Sequence, residues 1–407
     1  MLPEHAEHKT SSIPHCTTRA EEKFISGATA ASARQQIAQK TFDVFHVDYC
    51  AEDLKLHRKH MHELRPCAPA GEIELLPHLT SFLFQWVLIL PGKQKTPQKW
   101  HRNISVLLWY WPFSKPQTLD GDVCWDRFAV RGCHLSDNRS RFHEADVVVF
   151  HHHELKTHRQ TLPHHLARRP AQKWLWMSLE SPNSNGNLTA YNGVFNWTMT
   201  YRRDADVFVP YGELAPKRNG GGGGYVIPKK EAGMVACWVI SNYKSRHKRT
   251  QVYRSLRKMI PVKVFGRWSR KPLSARELLP TISRCRFYLA FENSLFTNYI
   301  TEKLWRNSFL AGTVPVVLGP PRRDYEAVAP AHSFIHVDDF NSTESLAGFL
   351  QRLASDEEAY AAYFEWRRDY DVRLLVDWRE RLCRMCKHYD RLPARKVYHH
   401  LDAWNRR

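Results

Sequence analysis

Read for its apolar and polar positions, the chain becomes regular from residue 104 onward. The runs ISVLLWYWPF (104–113), ADVVVFH (145–151) and KWLWMSLES (173–181) are continuous apolar stretches of strand length, separated by longer polar segments. A strand with one solvated face alternates in polarity. Strands that are apolar throughout are buried on both faces, which predicts a parallel sheet covered by helices. A second series follows: MVACWVI (234–240), a polar loop with a helix to about Met259, VKVFG (262–266), RFYLAFEN (286–293), a helix from about Glu302, and VPVVLG (314–319). Strand and helix in this repeated order predict an α/β chain of two doubly wound domains facing a cleft, with ligands held at the carboxyl ends of the strands. Residues 213–233, ELAPKRNGGGGGYVIPKKEAG, have the composition of a linker. The resulting boundaries are 104–212, 234–366 and a C-terminal helical segment over 367–407.

Upstream, residues 1–74 show no clear periodicity and read as a tail, and 93–103 as a stem. The run LLPHLTSFLFQWVLILPG (75–92) is the single candidate membrane segment. Its apolar core is shorter than the ~20 residues a spanning helix needs, and Pro77, His78 and Gln85 interrupt it. A signal-anchor and a buried helix or strand both remain open.

Composition narrows the picture. With 407 residues, 43% of them hydrophobic, the chain is long and apolar enough for two real cores, which excludes disorder throughout. Its formal charge of +19 points to anionic partners without choosing among nucleic acid, lipid headgroups, sialylated glycans and nucleotide diphosphates. Basic residues are spread along the chain rather than gathered in a tail of the nucleic-acid-binding kind. Cys383 and Cys386 form a CxxC, Cys124 and Cys133 lie close together in a loop-like segment, and disulfides are favoured over a zinc site, which would need a second pair at similar spacing. Cys237 and Cys285 fall inside strands and read as buried free thiols. Five sequons, at Asn103, Asn138, Asn187, Asn196 and Asn341, lean toward the secretory pathway.

Candidate chemistry begins with VVVFHHHELKTH (147–158), which has the look of a metal site. A helical H-E-x-x-H needs histidines four apart, whereas His153 and His158 are five apart, and His151 to His153 leave a strand, where neighbours point to opposite faces. The expectation is no metal. His151, His152 and Glu154 instead shape a substrate site at the strand's carboxyl end. The D-x-D patterns at Asp120–Asp122 and Asp204–Asp206 are too weak to specify a cation site. Thr301 is a candidate N-cap, with Glu302 and Lys303 in the first turn and Gly312 as terminator. That helix start reads either as a phosphate site or as a solvated first turn.

The succession FEN, YITEK and VPVVLGP within residues 287–340, joined by WMSLESP, YRRDADVFVPYG and DWRERLCRMC, resembles the α-1,3-fucosyltransferases, glycosyltransferase family 10, over roughly residues 104–407. The resemblance implies a GT-B fold of two Rossmann-like domains, with 104–212 binding the acceptor and 234–366 binding GDP-fucose as donor. It implies no required cofactor, and no nucleic acid as partner. By similarity Glu302 holds the ribose hydroxyls, Lys303 and Arg249 hold the diphosphate, and Tyr299 and Asn293 line the donor pocket. Glu180 in WMSLESP corresponds to a general base. Inversion from GDP-β-L-fucose to an α-fucoside needs one carboxylate to take the proton of the acceptor's 3-hydroxyl. The segments WYWPF, FHHHEL and AGTVPVVLGPPR are most similar to the leukocyte-type subtype, which implies α2,3-sialylated N-acetyllactosamine as acceptor, sialyl Lewis x as product and a type II Golgi membrane location. Neutral N-acetyllactosamine is the alternative acceptor. His153 stands where that subtype has arginine, and its CxxC between the second and third donor-domain strands has no counterpart in RKPLSARELLP.

Overall fold

The computed structural model describes residues 103–157, 161–217 and 224–407. The tail, the 75–92 segment and the stem as far as residue 102 lie outside the described residues. Among those described, no helix is long and apolar enough to cross a membrane.

Two parallel sheets carry the molecule. Strands β1 (Ile104–Leu108), β2 (Cys133–Ser136), β3 (Val147–His151), β4 (Lys173–Ser178), β5 (Trp197–Thr200) and β6 (Val207–Phe208) form the first, in the order β2-β1-β3-β4-β5-β6. Strand β7 (Gly212–Pro216) leaves it. Strands β8 (Ala236–Val239), β9 (Val262–Phe265), β10 (Phe287–Phe291), β11 (Val314–Leu318) and β12 (Ile335–His336) form the second, in the order β12-β11-β10-β8-β9. This is the GT-B type architecture of two Rossmann-like lobes. The long apolar runs are the central strands, and Val147, Val148, Val149, Phe287 and Leu289 have no exposed surface. Strands β2, β5, β6 and β12 are short; mixed polarity hid β2, β5 and β12 from the sequence pattern, and β6 has only two residues.

In each sheet the first strand of the lobe pairs with the second on one side and the third on the other. Each lobe therefore has a topological switch point, between β1 and β3 in the first and between β8 and β10 in the second. The loops diverge there and open a crevice at the carboxyl ends.

The segment read as a linker begins with a strand. β7 pairs antiparallel with β13 (Tyr370–Leu374) from Tyr370 opposite Pro216 to Leu374 opposite Gly212. Beyond it, Tyr225 and Ile227 pack on the core of the second lobe, and the Lys230 ammonium donates to the carbonyls of Ser283 and Gly312.

Nor is the C-terminal stretch a separate helical segment. Helices following β1, β3 and β4, at Val123–Phe128, His152–Lys156 and Pro182–Asn185, are too short to cover both faces of the first sheet. The chain's end does so instead. Helix Trp378–Cys386 places Leu382 and Met385 in the core on one face, and Tyr398, Leu401 and Trp404 close the other. Tyr398 exchanges backbone hydrogen bonds with the 193–195 segment, through Gly193 N–H at 2.8 Å and the Phe195 carbonyl at 2.9 Å.

Disulfides bind this return. Cys124 pairs with Cys383 and Cys133 with Cys386, across 259 and 253 residues, so sequence neighbours do not pair with each other. In helix Trp378–Cys386 the two cysteines stand one turn apart, and each meets a different element of the first lobe. Cys237 and Cys285, expected as free thiols, are also paired, joining β8 to the turn before β10.

Asn196 is not a glycan acceptor in this fold. It is buried; its Oδ1 accepts from the Trp174 amide at 2.9 Å, and its Nδ2 donates to the Lys396 carbonyl at 2.9 Å. Asn103, Asn138, Asn187 and Asn341 are exposed. Asn196→Gln should cost about 1–3 kcal/mol of stability by leaving these backbone groups unpaired, with no loss of glycan mass. Denaturant titration together with intact mass checks both; a mass loss equal to one glycan would contradict the assignment.

Candidate active site

Both switch points carry charged side chains. In the first lobe, β3 ends at His151 and the chain turns at once into the helix His152–Lys156. The alternation of a strand therefore stops at His151, and helical spacing brings Glu154 back to it: His151 Nδ1 lies 2.5 Å from Glu154 Oε2, both groups 2% exposed. Although burial opposes the anion, the His151 ring holds the Glu154 carboxyl below its usual range. His151 packs edge-on against Phe113 and Trp378, with ring centroids 5.1 and 5.3 Å away, and His153 lies 4.9 Å from Phe113. Phe113 has φ of 57° and stands 42% exposed over this group. Such a backbone is rare for a bulky residue and is kept where surroundings enforce it.

His152 does not share this face. It packs against Trp176 and Tyr191, and its Nε2–H donates to the Asn185 carbonyl at 3.0 Å, leaving Nδ1 buried without a partner. Its role in the fold is to tie the helix after β3 to the helix after β4.

Glu180 follows β4 and is half-buried. The loop around it is held by backbone and by neighbours: its N–H donates to Ser178 Oγ at 3.2 Å, its carbonyl accepts from Asn185 Nδ2 at 3.2 Å, and Tyr211 donates to the Leu179 carbonyl at 2.6 Å. The carboxylate itself makes no hydrogen bond or ion pair among the described residues.

In the second lobe, Glu292 and Asn293 follow β10, and Arg249 lies on the helix Lys248–Leu256 after β8, across the switch point. Arg249 is 5% exposed; its Nη2 donates to the Asn242 carbonyl, while Nε has no partner and no carboxylate forms an ion pair with it among the described residues. Burial lowers its affinity for the proton, against the pull of Glu292 and others. Asn293 Oδ1 is likewise buried and unpartnered.

The helix expected from Glu302 is α-helical only over Glu302–Leu304 and continues as a π-turn, Trp305–Leu310. Gly312 ends it with φ of 71°, as expected of a terminator. Thr301 does not cap. Its N–H and hydroxyl both go to Glu292, at 2.8 and 2.9 Å. Glu292 was missed in the sequence because it reads as part of an apolar run. Lys303 Nζ lies between Glu292 (2.9 Å), Glu302 (3.1 Å) and Thr301 Oγ1 (2.7 Å). Despite burial, the two carboxylates raise the affinity of Lys303 for its proton, so the group stays cationic. Lys303 and the Thr301 hydroxyl in turn keep the Glu302 carboxyl below its usual range against the effect of burial.

The lobes meet beside these groups. Ser181 donates to Ser294 at 3.0 Å, and the Tyr201 and Tyr299 rings lie 4.9 Å apart, edge to face. Burial raises the Tyr299 hydroxyl well above its ordinary value, aided by Tyr211, Glu292, Glu180 and Glu302. One buried ring therefore senses carboxylates of both lobes. Three of the four D-x-D carboxylates are engaged elsewhere, Asp204 with Arg202, Asp206 with Lys396, Tyr398 and the Thr198 amide, and Asp122 as the N-cap of helix Val123–Phe128, while Asp120 is exposed.

Two parallel Rossmann-like sheets, each with a switch point, make this a GT-B type protein. Residues 101–212 match the family described as fucosyltransferase, N-terminal, and residues 227–404 match glycosyltransferase family 10 (fucosyltransferase), C-term. The chain belongs to this family, glycosyltransferase family 10, and is an enzyme. Among its relatives, alpha-(1,3)-fucosyltransferase 7 of Homo sapiens is 48% identical over 78% of this chain and 91% of that protein. The Mus musculus protein of the same name is 47% identical over 80% and 82%. The 4-galactosyl-N-acetylglucosaminide 3-alpha-L-fucosyltransferase 9 of Mus musculus is 41% identical over 78% and 86%. A crystal structure of an alpha1,3-fucosyltransferase with GDP-fucose superposes with a TM-score of 0.48 at 17% identity, covering 75% of this chain and 95% of that one.

The environment of His152 makes stability pH-dependent. Burial lowers its pKa to about 4, against an ordinary 6.5. Between those values the unfolded chain binds the extra proton, so the stability from neutral His152 is full above the upper value and is lost as pH falls toward the lower. The loss is at most about 3 kcal/mol. His152→Gln, which can still donate to Asn185, should flatten denaturation midpoints measured across that window; an unchanged profile would remove His152 as the cause.

Proposed function

We propose that the chain transfers L-fucose from GDP-β-L-fucose to the 3-hydroxyl of N-acetylglucosamine in N-acetyllactosamine, with inversion at the anomeric carbon. The acceptor O3 attacks that carbon as the bond to the diphosphate oxygen breaks. Glu180 takes the hydroxyl proton, and GDP departs with the bonding electrons. The transition state resembles an oxocarbenium ion. The observation that carries this reading is the unengaged carboxylate of Glu180 at the end of β4, in a family whose members move fucose.

Arg249, with its unpartnered buried Nε, and Lys303 supply positive charge for the departing diphosphate. Lys303 reaches a phosphate by exchanging one of its acceptors, and Glu302, 39% exposed, is the accessible one. Glu302 then turns to the ribose hydroxyls, Tyr299 and Asn293 line the donor pocket, and the His151–Glu154 pair with Phe113 and Trp378 forms the acceptor face. The preferred acceptor is α2,3-sialylated, giving sialyl Lewis x, as the resemblance of WYWPF, FHHHEL and AGTVPVVLGPPR to the leukocyte-type subtype implies. The second reading, a neutral acceptor, is supported by the fucosyltransferase 9 relatives. Three disulfides and four exposed sequons support residence in the Golgi lumen.

Glu180→Gln should lower kcat for fucose transfer by about 10²–10⁴ while leaving the melting temperature unchanged, and chelator should leave the wild-type rate unchanged. Full activity in the variant would eliminate the base. Parallel assays with sialylated and unsialylated acceptor decide between the two acceptor readings.

A further inference from the structure

The cations of this chain are dispersed, but its carboxylates are not. Residues 232–276 hold twelve Lys and Arg side chains and no Asp or Glu. This stretch forms β8, the helix Lys248–Leu256 and the edge strand β9, which is the outer side of the second lobe. A lysine on an edge strand, such as Lys263, is explained by protection against strand pairing. That explanation does not reach the loops at the carboxyl ends of β8 and β9, where five of the eleven exposed cations stand.

These two loops are locked together. Ile240 N–H donates to the Phe265 carbonyl at 2.8 Å, and Trp268 N–H donates back to the Ile240 carbonyl at 3.3 Å. Gly266, with φ of 102°, permits the approach: a Cβ there would fall 2.3 Å from the Ile240 oxygen. The Tyr243 and Trp268 rings stack at 3.9 Å and 6°, and Arg254 donates to the Tyr243 hydroxyl at 3.0 Å. Around this stack Lys244, Arg246, Arg267, Arg270 and Lys271 are exposed. Among the described residues the stretch makes one ion pair, Lys248 with Asp338, and none of these five takes part in it.

The rim adjoins the candidate donor site. β8 lies between β9 and β10, so the rim is one strand out from the switch point that carries Arg249 and Glu292, and Arg249 reaches into it through the Asn242 carbonyl. We propose that Lys244, Arg246, Arg267, Arg270 and Lys271 form an electrostatic capture site that draws the diphosphate of the nucleotide-sugar donor toward Arg249 and Lys303. The proposal rests on the reading of the chain as a GDP-fucose-dependent transferase. Cations carried on these tied loops, with no carboxylate among them in the stretch, keep a positive field that reaches about 8 Å at physiological salt, and such fields raise association rates of anionic ligands. The effect belongs to encounter and not to the chemical step.

The test uses the full chain and measures kcat and the KM of each substrate at low and at ~0.15 M ionic strength. It compares wild type, the variant R246Q/R267Q/R270Q, and a control of equal charge change, K387Q/R391Q/R395Q, in the exposed C-terminal segment. Wild-type kcat/KM for GDP-fucose should fall with salt. The rim variant should lose about 3- to 10-fold at low salt with a flatter salt dependence, keeping kcat and the acceptor KM; the control should match wild type. An unchanged donor KM in the rim variant, an equal loss in the control, or a change confined to the acceptor KM overturns the proposal. Should the rim variant melt early, the wild type decides: a donor kcat/KM indifferent to ionic strength is equally fatal. Absence of any wild-type turnover would overturn the functional reading as well, whereas turnover insensitive to the rim overturns only the capture site.

Discussion

The second lobe is organised around one largely enclosed cation. Lys303 is 15% exposed and Glu292 1%, and between them they complete a closed set of bonds with Thr301 and Glu302. Burying such a pair is expensive, and it is tolerable here because each charge finds several partners. The arrangement fixes more than itself. Glu292 holds the chain at the end of β10, Thr301 sits at the start of the next helix, and the segment between them carries Asn293, Ser294 and Tyr299. Ser294 and Tyr299 meet the first lobe at Ser181 and Tyr201. A local charge network thus sets the geometry of the contact between lobes.

The first lobe depends on a different constraint, coverage of its sheet. Its crossover helices are too short, so residues from the far end of the chain complete the core, and disulfides hold them there. The same return brings Trp378 to His151 and Phe113. Covering the sheet and forming the candidate acceptor face are therefore one packing event. It also makes residues 104–208 and 378–404 parts of a single lobe, which a division into consecutive domains does not express.

Much of this was legible in the sequence, and the failures share a cause. Continuous apolar runs gave both sheets, because strands buried on two faces carry no competing pattern. The short strands at the sheet margins, such as β2 and β12, are half polar and were lost. The glycine-rich stretch hid β7, since its pairing partner lies more than 150 residues later. Glu180, Arg249, Tyr299, Glu302 and Lys303 are candidates through resemblance to a family; their spacing alone does not distinguish them from strand-end or first-turn residues. His151 and Glu154 were paired with the right element for an incomplete reason, because the strand stops at His151 and helical spacing takes over. Glu292, inside an apolar run, and Trp378, on the returning segment, had no local signal at all.

Among the carboxylates near the switch points, availability separates the candidates. Glu154 is bound to His151, Glu292 to Lys303 and Thr301, and Glu302 to Lys303. Asp204 and Asp206 are held by Arg202 and Lys396. A base must also be open to substrate, and a carboxylate already held by neighbouring donors is not free to reach the substrate hydroxyl. Glu180 is the one in this group without such a partner among the described residues, while its backbone is fixed from both sides by Ser178 and Asn185. A rigid backbone under an unpaired carboxylate is what proton abstraction from a positioned hydroxyl requires. The charge networks on either side of it make that distinction by committing every neighbour.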